Sequence, residues 1–384
     1  MTSLVAPATP HRAVRTDLHR LTSLRAVAAG LVVVHHGTLS LAAVPLVSPV
    51  AALGYVGVTF FFVLSGFVLT WSMTPDLRAR HFYGRRFARI YPTHLVTLLI
   101  AVALAGLFAL PASVAAIGGA VTLTQSWIPI SSVTEQLNNV SWSLSDEAFF
   151  YALFPFVFWR WSRHSNHRLL RHIGVVAVLM LVACAVVHEL FSAEVAGNIL
   201  YKLPLFRVGE FLVGVALAIM VRNGWRPPFG MRVAGTLAVG WYAALVVALD
   251  ATGHLNVIRV IPDLLMLPVL ALLVVAAASA DLADADARAV SGVRGRRPWL
   301  VSPTMVLLGR ASFQLYMTHF LLLMVLQRLP TPSGPWLAPA LIGYVMLSVA
   351  VSLVTYQLFE VPTERFLRRR LGGTVRPRAE VRDP

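Results

Sequence analysis

Apolar runs of about 20 residues, the length needed to cross a bilayer as a helix, recur along the whole chain. They fall at residues 25–45, 52–73, 92–111, 142–160, 172–191, 203–222, 231–250, 258–280, 304–327 and 337–360. In hydrocarbon every backbone donor and acceptor must be satisfied inside its own segment, so each run is expected to be helical. The pattern therefore predicts an all-α polytopic membrane protein with about ten transmembrane helices. A further apolar stretch, residues 111–127, is short, is bracketed by Pro111 and Pro129, and contains Gly118 and Gly119. It is expected to be re-entrant or interfacial.

The polar residues between the runs set an orientation. Of the 32 basic residues, all but Lys202, Arg207, Arg259, Arg310 and Arg328 lie in alternate segments that are cytoplasmic if the N-terminus is inside. The positive-inside rule then places both termini in the cytoplasm. The expected organisation is a cytoplasmic N-terminal tail over residues 1–20, a ten-span membrane domain over 21–364, and a basic cytoplasmic tail over 365–384.

Composition sharpens this picture. Of 384 residues, 57% are hydrophobic and 13% charged, and the mean hydropathy is +0.72. A net charge of +15 would suit a nucleic-acid partner only if the basic residues formed a patch on a soluble module. Here they separate apolar runs, so a bilayer and not a nucleic acid is the expected partner. The lone cysteine, Cys184, excludes a disulfide framework and a thiolate metal cluster. A single lysine against thirty-one arginines, with abundant Ala, Val and Leu, is the usage of a high-GC bacterial genome. The expected location is the bacterial cytoplasmic membrane.

The candidate chemistry lies inside the runs. His35 and His36 stand in the middle of the first, where an imidazole is rare and is usually retained for function. Eleven residues advance a helix by three turns plus about 20°, so Arg25 and His36 share a stripe about 16 Å apart along the axis. His35 points about 100° away and is expected to pack behind His36. Asp146 and Glu147 are expected just inside the outer end of the fourth span, Arg207 and Glu210 just inside that of the sixth, with Arg310 and His319 in the ninth. Arg207 and Glu210, three apart, can also neutralise each other. Arg85, Arg86 and Arg89 lie at helical spacing among aromatic residues on the arginine-rich side, where they anchor in headgroups or capture phosphate. Adjacent histidines diverge on a helix and no convergent ligand spacing accompanies them, so no metal site is expected.

Read in order, these segments resemble the membrane-bound acyltransferase-3 family, bacterial integral-membrane O-acyltransferases that modify sugars. The resemblance rests on Arg25 with ten residues before His36, on Gly54 to Phe67, on Phe82 to Pro92, on Trp142 to Tyr151 around Glu147, on Phe206 to Phe211, and on Leu308 to His319. Thr59 stands where the resemblance expects an aspartate.

What the resemblance implies is transfer of an acyl group, acetyl by analogy, from acyl-CoA to a hydroxyl of a carbohydrate, glycolipid or glycosylated small-molecule acceptor. No tightly bound cofactor is implied, acyl-CoA being a co-substrate. His36 would be the catalytic base, supported by Arg25 and Glu147. Arg85, Arg86 and Arg89 would bind the donor. His35, Trp142, Ser143, Arg207, Glu210, Tyr316 and His319 would line the acceptor site or support it. The rival reading is a proton-coupled transporter or flippase using the same buried polar residues; no internal repeat of the kind such proteins carry is visible.

Overall fold

The computed structural model describes residues 16–74, 78–252, 260–291 and 298–371, so most of both expected tails lies outside the described residues. In chain order the helices are α1 (His19–Ser40), α2 (Ser48–Ala52), α3 (Gly57–Ser72), α4 (Ala79–Leu107), α5 (Val114–Thr122), α6 (Ser131–Thr134), α7 (Trp142–Trp161) and α8 (Asn166–Leu190). They continue with α9 (Ala193–Lys202), α10 (Pro204–Arg222), α11 (Met231–Ala251), α12 (Val260–Ser291), α13 (Pro303–Leu326), α14 (Leu337–Thr355) and α15 (Val361–Leu371). No strand occurs among the described residues. The protein is an all-α, multi-pass membrane protein.

Eight helical segments among the described residues are long and apolar enough to cross a membrane. The two further spans of the expected ten correspond to α1 and α7, which at 22 and 20 residues have the length but are more polar. The polar load of α1 is Arg20, Arg25, His35 and His36, and that of α7 is Asp146, Glu147 and Arg160.

Two of the boundaries that differ from expectation bear on the site. α4 begins at Ala79, so Arg85, Arg86 and Arg89 stand on a helix and Pro92 lies inside it instead of opening it. A proline removes one backbone bond and kinks a helix, which a 29-residue element with long flanks can accommodate. α12 runs to Ser291, past the end of the apolar run expected at 258–280. Its extension is held by Arg20, whose Nη1 lies 2.8 Å from Asp281 and whose Nη2 lies 2.7 Å from Asp284.

Close helix crossings set the middle of the bundle. A Cβ at Gly66 on α3 would fall 2.1 Å from the Phe211 carbonyl oxygen on α10. One at Gly309 on α13 would fall 1.9 Å from the Thr22 carbonyl oxygen on α1. Between apolar helices in lipid, backbone approach at small residues supplies the packing that hydrophobic burial supplies in water. α8, by contrast, buries only Leu169 and Met180 and sits at the edge.

The 111–127 stretch is re-entrant. At the end of α5, the Ala120 carbonyl meets His94 Nε2 at 2.8 Å and the Val121 carbonyl accepts from Tyr91 at 3.1 Å, both on α4. Since α4 continues to Leu107, the chain has turned back about 20 Å along it. Beyond α5, Gln125 Nε2 donates to the Ser141 carbonyl at 2.9 Å and Ser126 Oγ to the Trp142 carbonyl at 2.7 Å. These bonds seat the first residues of α7 deep in the bundle, and that depth decides where Glu147 falls.

Candidate active site

Two cavities meet beside α1. The larger encloses about 840 Å³ of empty space, its open mouth included, and is lined by Arg25, Arg86, Arg89, Ser143, Glu147 and Tyr151. The smaller encloses about 410 Å³ and is lined by His35, His36, Glu135, Trp142, Tyr201 and Lys202. Val58 on α3 and Tyr316 on α13 belong to both walls and form the partition. Tyr316 donates to the Val140 carbonyl at 2.9 Å and lies 2.9 Å from Ser143 Oγ, so the partition is tied to the start of α7.

His36 stands at the centre of this arrangement, half-buried. Its Nδ1 lies 3.0 Å from the Val32 carbonyl oxygen and 3.2 Å from Nε2 of His319. Nδ1 of His319 in turn lies 3.0 Å from the Leu315 carbonyl oxygen. Carbonyl oxygens only accept, so for neutral rings both protons belong on Nδ1, and the tautomers follow from the partners. His319 then offers the lone pair of Nε2 to His36, and the lone pair of His36 is left on its own Nε2. His35, which is 3% exposed, sets its Nδ1 2.9 Å from the Ala51 carbonyl and packs behind His36, as its angle on the helix requires.

The arginine cavity gathers three of the four expected arginines and changes the place of other residues. Arg25, Arg86 and Arg89 line it together, but Arg85, four residues from Arg89 on the same helix, does not. Arg89 is also paired with Glu360, and with Glu364 at 3.0 Å, which ties α4 to the π-helical turn Tyr356–Glu360 and to α15 after it. Glu147, expected just inside the outer end of the fourth span, lies instead in the arginine cavity and accepts from Tyr151 at 2.9 Å. The reason is the re-entrant segment, which starts α7 at depth and leaves Glu147 about 7 Å further along the axis. Ser143 likewise faces this cavity, whereas Trp142 lines the His36 cavity.

Arg207 and Glu210 line neither cavity. They belong to a sealed cluster in which Arg207 Nη1 lies 3.1 Å from Glu210 and 2.7 Å from Asp263, with Thr59 donating to Asp263 at 2.8 Å. All four are at most 1% exposed. Asp263 thus places a carboxylate next to Thr59, where the family resemblance expects an aspartate on α3 itself. The cluster joins α3, α10 and α12 away from both cavities.

Sequence reasoning missed Asp263, Glu135, Lys202, Tyr151 and Glu360. Asp263 was open to detection as an acid within an apolar run. Lys202, the single lysine, stands at the head of a span and is 4% exposed; it is paired with Glu135 and donates to Asn198 Oδ1 at 3.0 Å. Glu135 comes from a loop with no periodicity, so nothing in the sequence connects it to His36.

A profile of the family described as "Acyltransferase domain" matches residues 18–357. Acyltransferase MdmB of Streptomyces mycarofaciens is 31% identical over 360 aligned residues, covering 87% of this chain and 86% of that protein. An uncharacterized protein of Haemophilus influenzae is 26% identical over 198 residues, covering 47% of this chain and 80% of that protein. No solved structure matches. With the match running from the start of α1 to the end of α14, the chain belongs to the acyltransferase-3 family and is an acyl-transferring membrane enzyme.

Proposed function

We propose that the protein is an O-acyltransferase that carries an acyl group from acyl-CoA to a hydroxyl of a carbohydrate-containing acceptor, with His36 as general base. The donor enters the arginine cavity. Its phosphates engage Arg86 and Arg89, aided by Arg25, because planar guanidinium forks suit phosphate oxygens. The pantetheine arm extends toward Val58 and Tyr316, which brings the thioester to the partition. The acceptor occupies the smaller cavity, where Trp142, Tyr55 and Tyr201 offer apolar ring faces and Glu135 and Lys202 offer polar contacts.

His36 Nε2 removes the acceptor hydroxyl proton as the oxygen bonds to the thioester carbonyl carbon. The carbon–sulfur bond then breaks, and the coenzyme A thiolate takes the proton from the imidazolium. An imidazole with a reference pKa of about 6.5 suits both halves of this transfer. Supported on Nδ1 by Val32 and His319, the ring is held in the tautomer that a base needs. The single observation that carries the reading is His36, so supported, beside a partition shared by an arginine-lined cavity and a second polar one.

The test is transfer of label from acetyl-CoA to the glycan or glycolipid fraction by purified His36→Ala and His35→Ala proteins of equal fold. Loss of transfer of roughly 10²- to 10⁴-fold is expected for His36→Ala, with much of it retained in His35→Ala. Undiminished transfer by His36→Ala would remove the base.

A further inference from the structure

A third pocket, outside both cavities, lies where the ends of three helices meet. His19 at the start of α1, Arg288 near the end of α12, and Val301, Pro303, Val306, Leu307 and Arg310 at the head of α13 enclose about 660 Å³ of empty space, open mouth included. Its α13 residues are distinct from Ser312, Phe313 and Tyr316, which the same helix contributes to the arginine cavity. The two sites therefore occupy different sides of α13.

Among the described residues the lining carries positive charge and no carboxylate. Of the acids nearby, Asp281 and Asp284 on α12 are both held by Arg20, and Asp17 and Asp286 lie outside the lining. Arg288 donates Nε to the Asp284 carbonyl at 2.9 Å, a bond that steadies the guanidinium without neutralising it. Arg310 has neither a hydrogen bond nor an ion pair among the described residues. The head of α13 adds the positive end of a 24-residue helix, capped by Ser302 Oγ accepting from Met305 N at 3.3 Å. The remaining walls are apolar, and Trp299, just before α13, is 63% exposed, as an aromatic at a membrane interface is.

We propose that this pocket binds the phosphate headgroup of an anionic phospholipid in the leaflet at the arginine-rich face. A phosphodiester satisfies two guanidinium forks at once, and the apolar rim of Val301, Val306 and Leu307 accepts the start of the acyl chains. Basic pockets between helix ends, with apolar walls, are the sites at which membrane proteins take anionic lipid headgroups. A soluble phosphate would use the same guanidinium groups and leave the apolar rim unoccupied.

The experiment equilibrates the full-length protein in mixed micelles of phosphatidylglycerol and phosphatidylcholine and counts retained lipid by native mass spectrometry. Wild type should retain phosphatidylglycerol selectively. Retention should weaken about fivefold for each of Arg288→Gln and Arg310→Gln, the scale of one basic residue's attraction to an anionic headgroup. Arg232→Gln, an exposed arginine outside the pocket, should leave it unchanged. Equal retention by the double variant overturns the proposal, as does an equal loss in Arg232→Gln, which would mean diffuse surface charge. In a lipid-free arm, inorganic pyrophosphate raises the melting temperature of wild type but not of the double variant if the pocket serves free phosphate. That result without phosphatidylglycerol selectivity overturns the lipid assignment.

Discussion

His36 and His319, separated by 283 positions, meet with ring centroids 5.2 Å apart and with Nε2 of His319 3.2 Å from Nδ1 of His36. In the proposed mechanism the second histidine is a positioning residue, since it accepts from the first and so fixes which nitrogen faces the acceptor. His319→Phe keeps the volume and removes that hydrogen-bond acceptor. Turnover should fall on the order of 10²-fold with little change in donor KM, as when a base loses the group that holds its tautomer. Steady-state kinetics with varied acetyl-CoA decides it, and an effect on KM alone would contradict the assignment.

Arg86 and Glu147 share the arginine cavity, so charge changes there should act on the donor. Arg86→Glu should raise the acetyl-CoA KM at least tenfold, the effect of replacing one charged contact by a repulsion. Acceptor KM should be little changed. Had Glu147 been an acceptor ligand, Glu147→Gln would raise acceptor KM first. Its position beside Arg25 and Tyr151 predicts that donor parameters move instead.

Asp146 is fully buried, and neither carboxyl oxygen has a hydrogen-bond partner among the described residues. Ser126, the nearby hydroxyl, gives its one proton to the Trp142 carbonyl. Removing an unsatisfied buried polar group recovers its desolvation cost, so Asp146→Val should stabilise the protein by about 1–3 kcal/mol. Thermal unfolding in detergent measures this, and a lower melting temperature would mean that the carboxyl is satisfied.

In the sealed cluster the opposite sign is expected. Arg207→Met leaves Glu210 and Asp263 facing each other without their cation and should cost about 3–5 kcal/mol. The replacement of Arg207 together with Glu210→Leu and Asp263→Leu should recover much of it, because a buried ion cluster exchanged whole for apolar side chains is often tolerated. Chemical denaturation of the single and triple variants in detergent measures both.

Gly66→Val tests the crossing of α3 and α10. A side chain there meets the Phe211 carbonyl well inside contact distance, so the helices must separate. Folded yield should collapse, whereas Gly118→Val, with open space around its Cβ position, should be tolerated.

How far the sequence reveals this protein follows from the range over which each signal acts. The sixth span, expected at 203–222, matches α10 at Pro204–Arg222, because apolar periodicity is local and strong there. The start of α4 falls earlier than expected, since arginines read as a loop although they continue one helix. Arg25 and His36 can be aligned from helical geometry alone, but the partner of His36 cannot, being on a helix nearly three hundred residues away. Glu147 is recognisable and yet misplaced for the same reason: its depth is set by Gln125 and Ser126 at the end of the re-entrant segment, not by anything within α7.

Lys202 carries the one side-chain amine in the 384 residues, and it lies in the wall of the His36 cavity. An amine-selective reagent therefore has a single side-chain target, placed where the acceptor is proposed to sit. The rate at which that lysine is modified becomes a gauge of occupancy: any compound that fills the space shields it. Candidate acceptors can thus be ranked by protection from labelling before any product is identified.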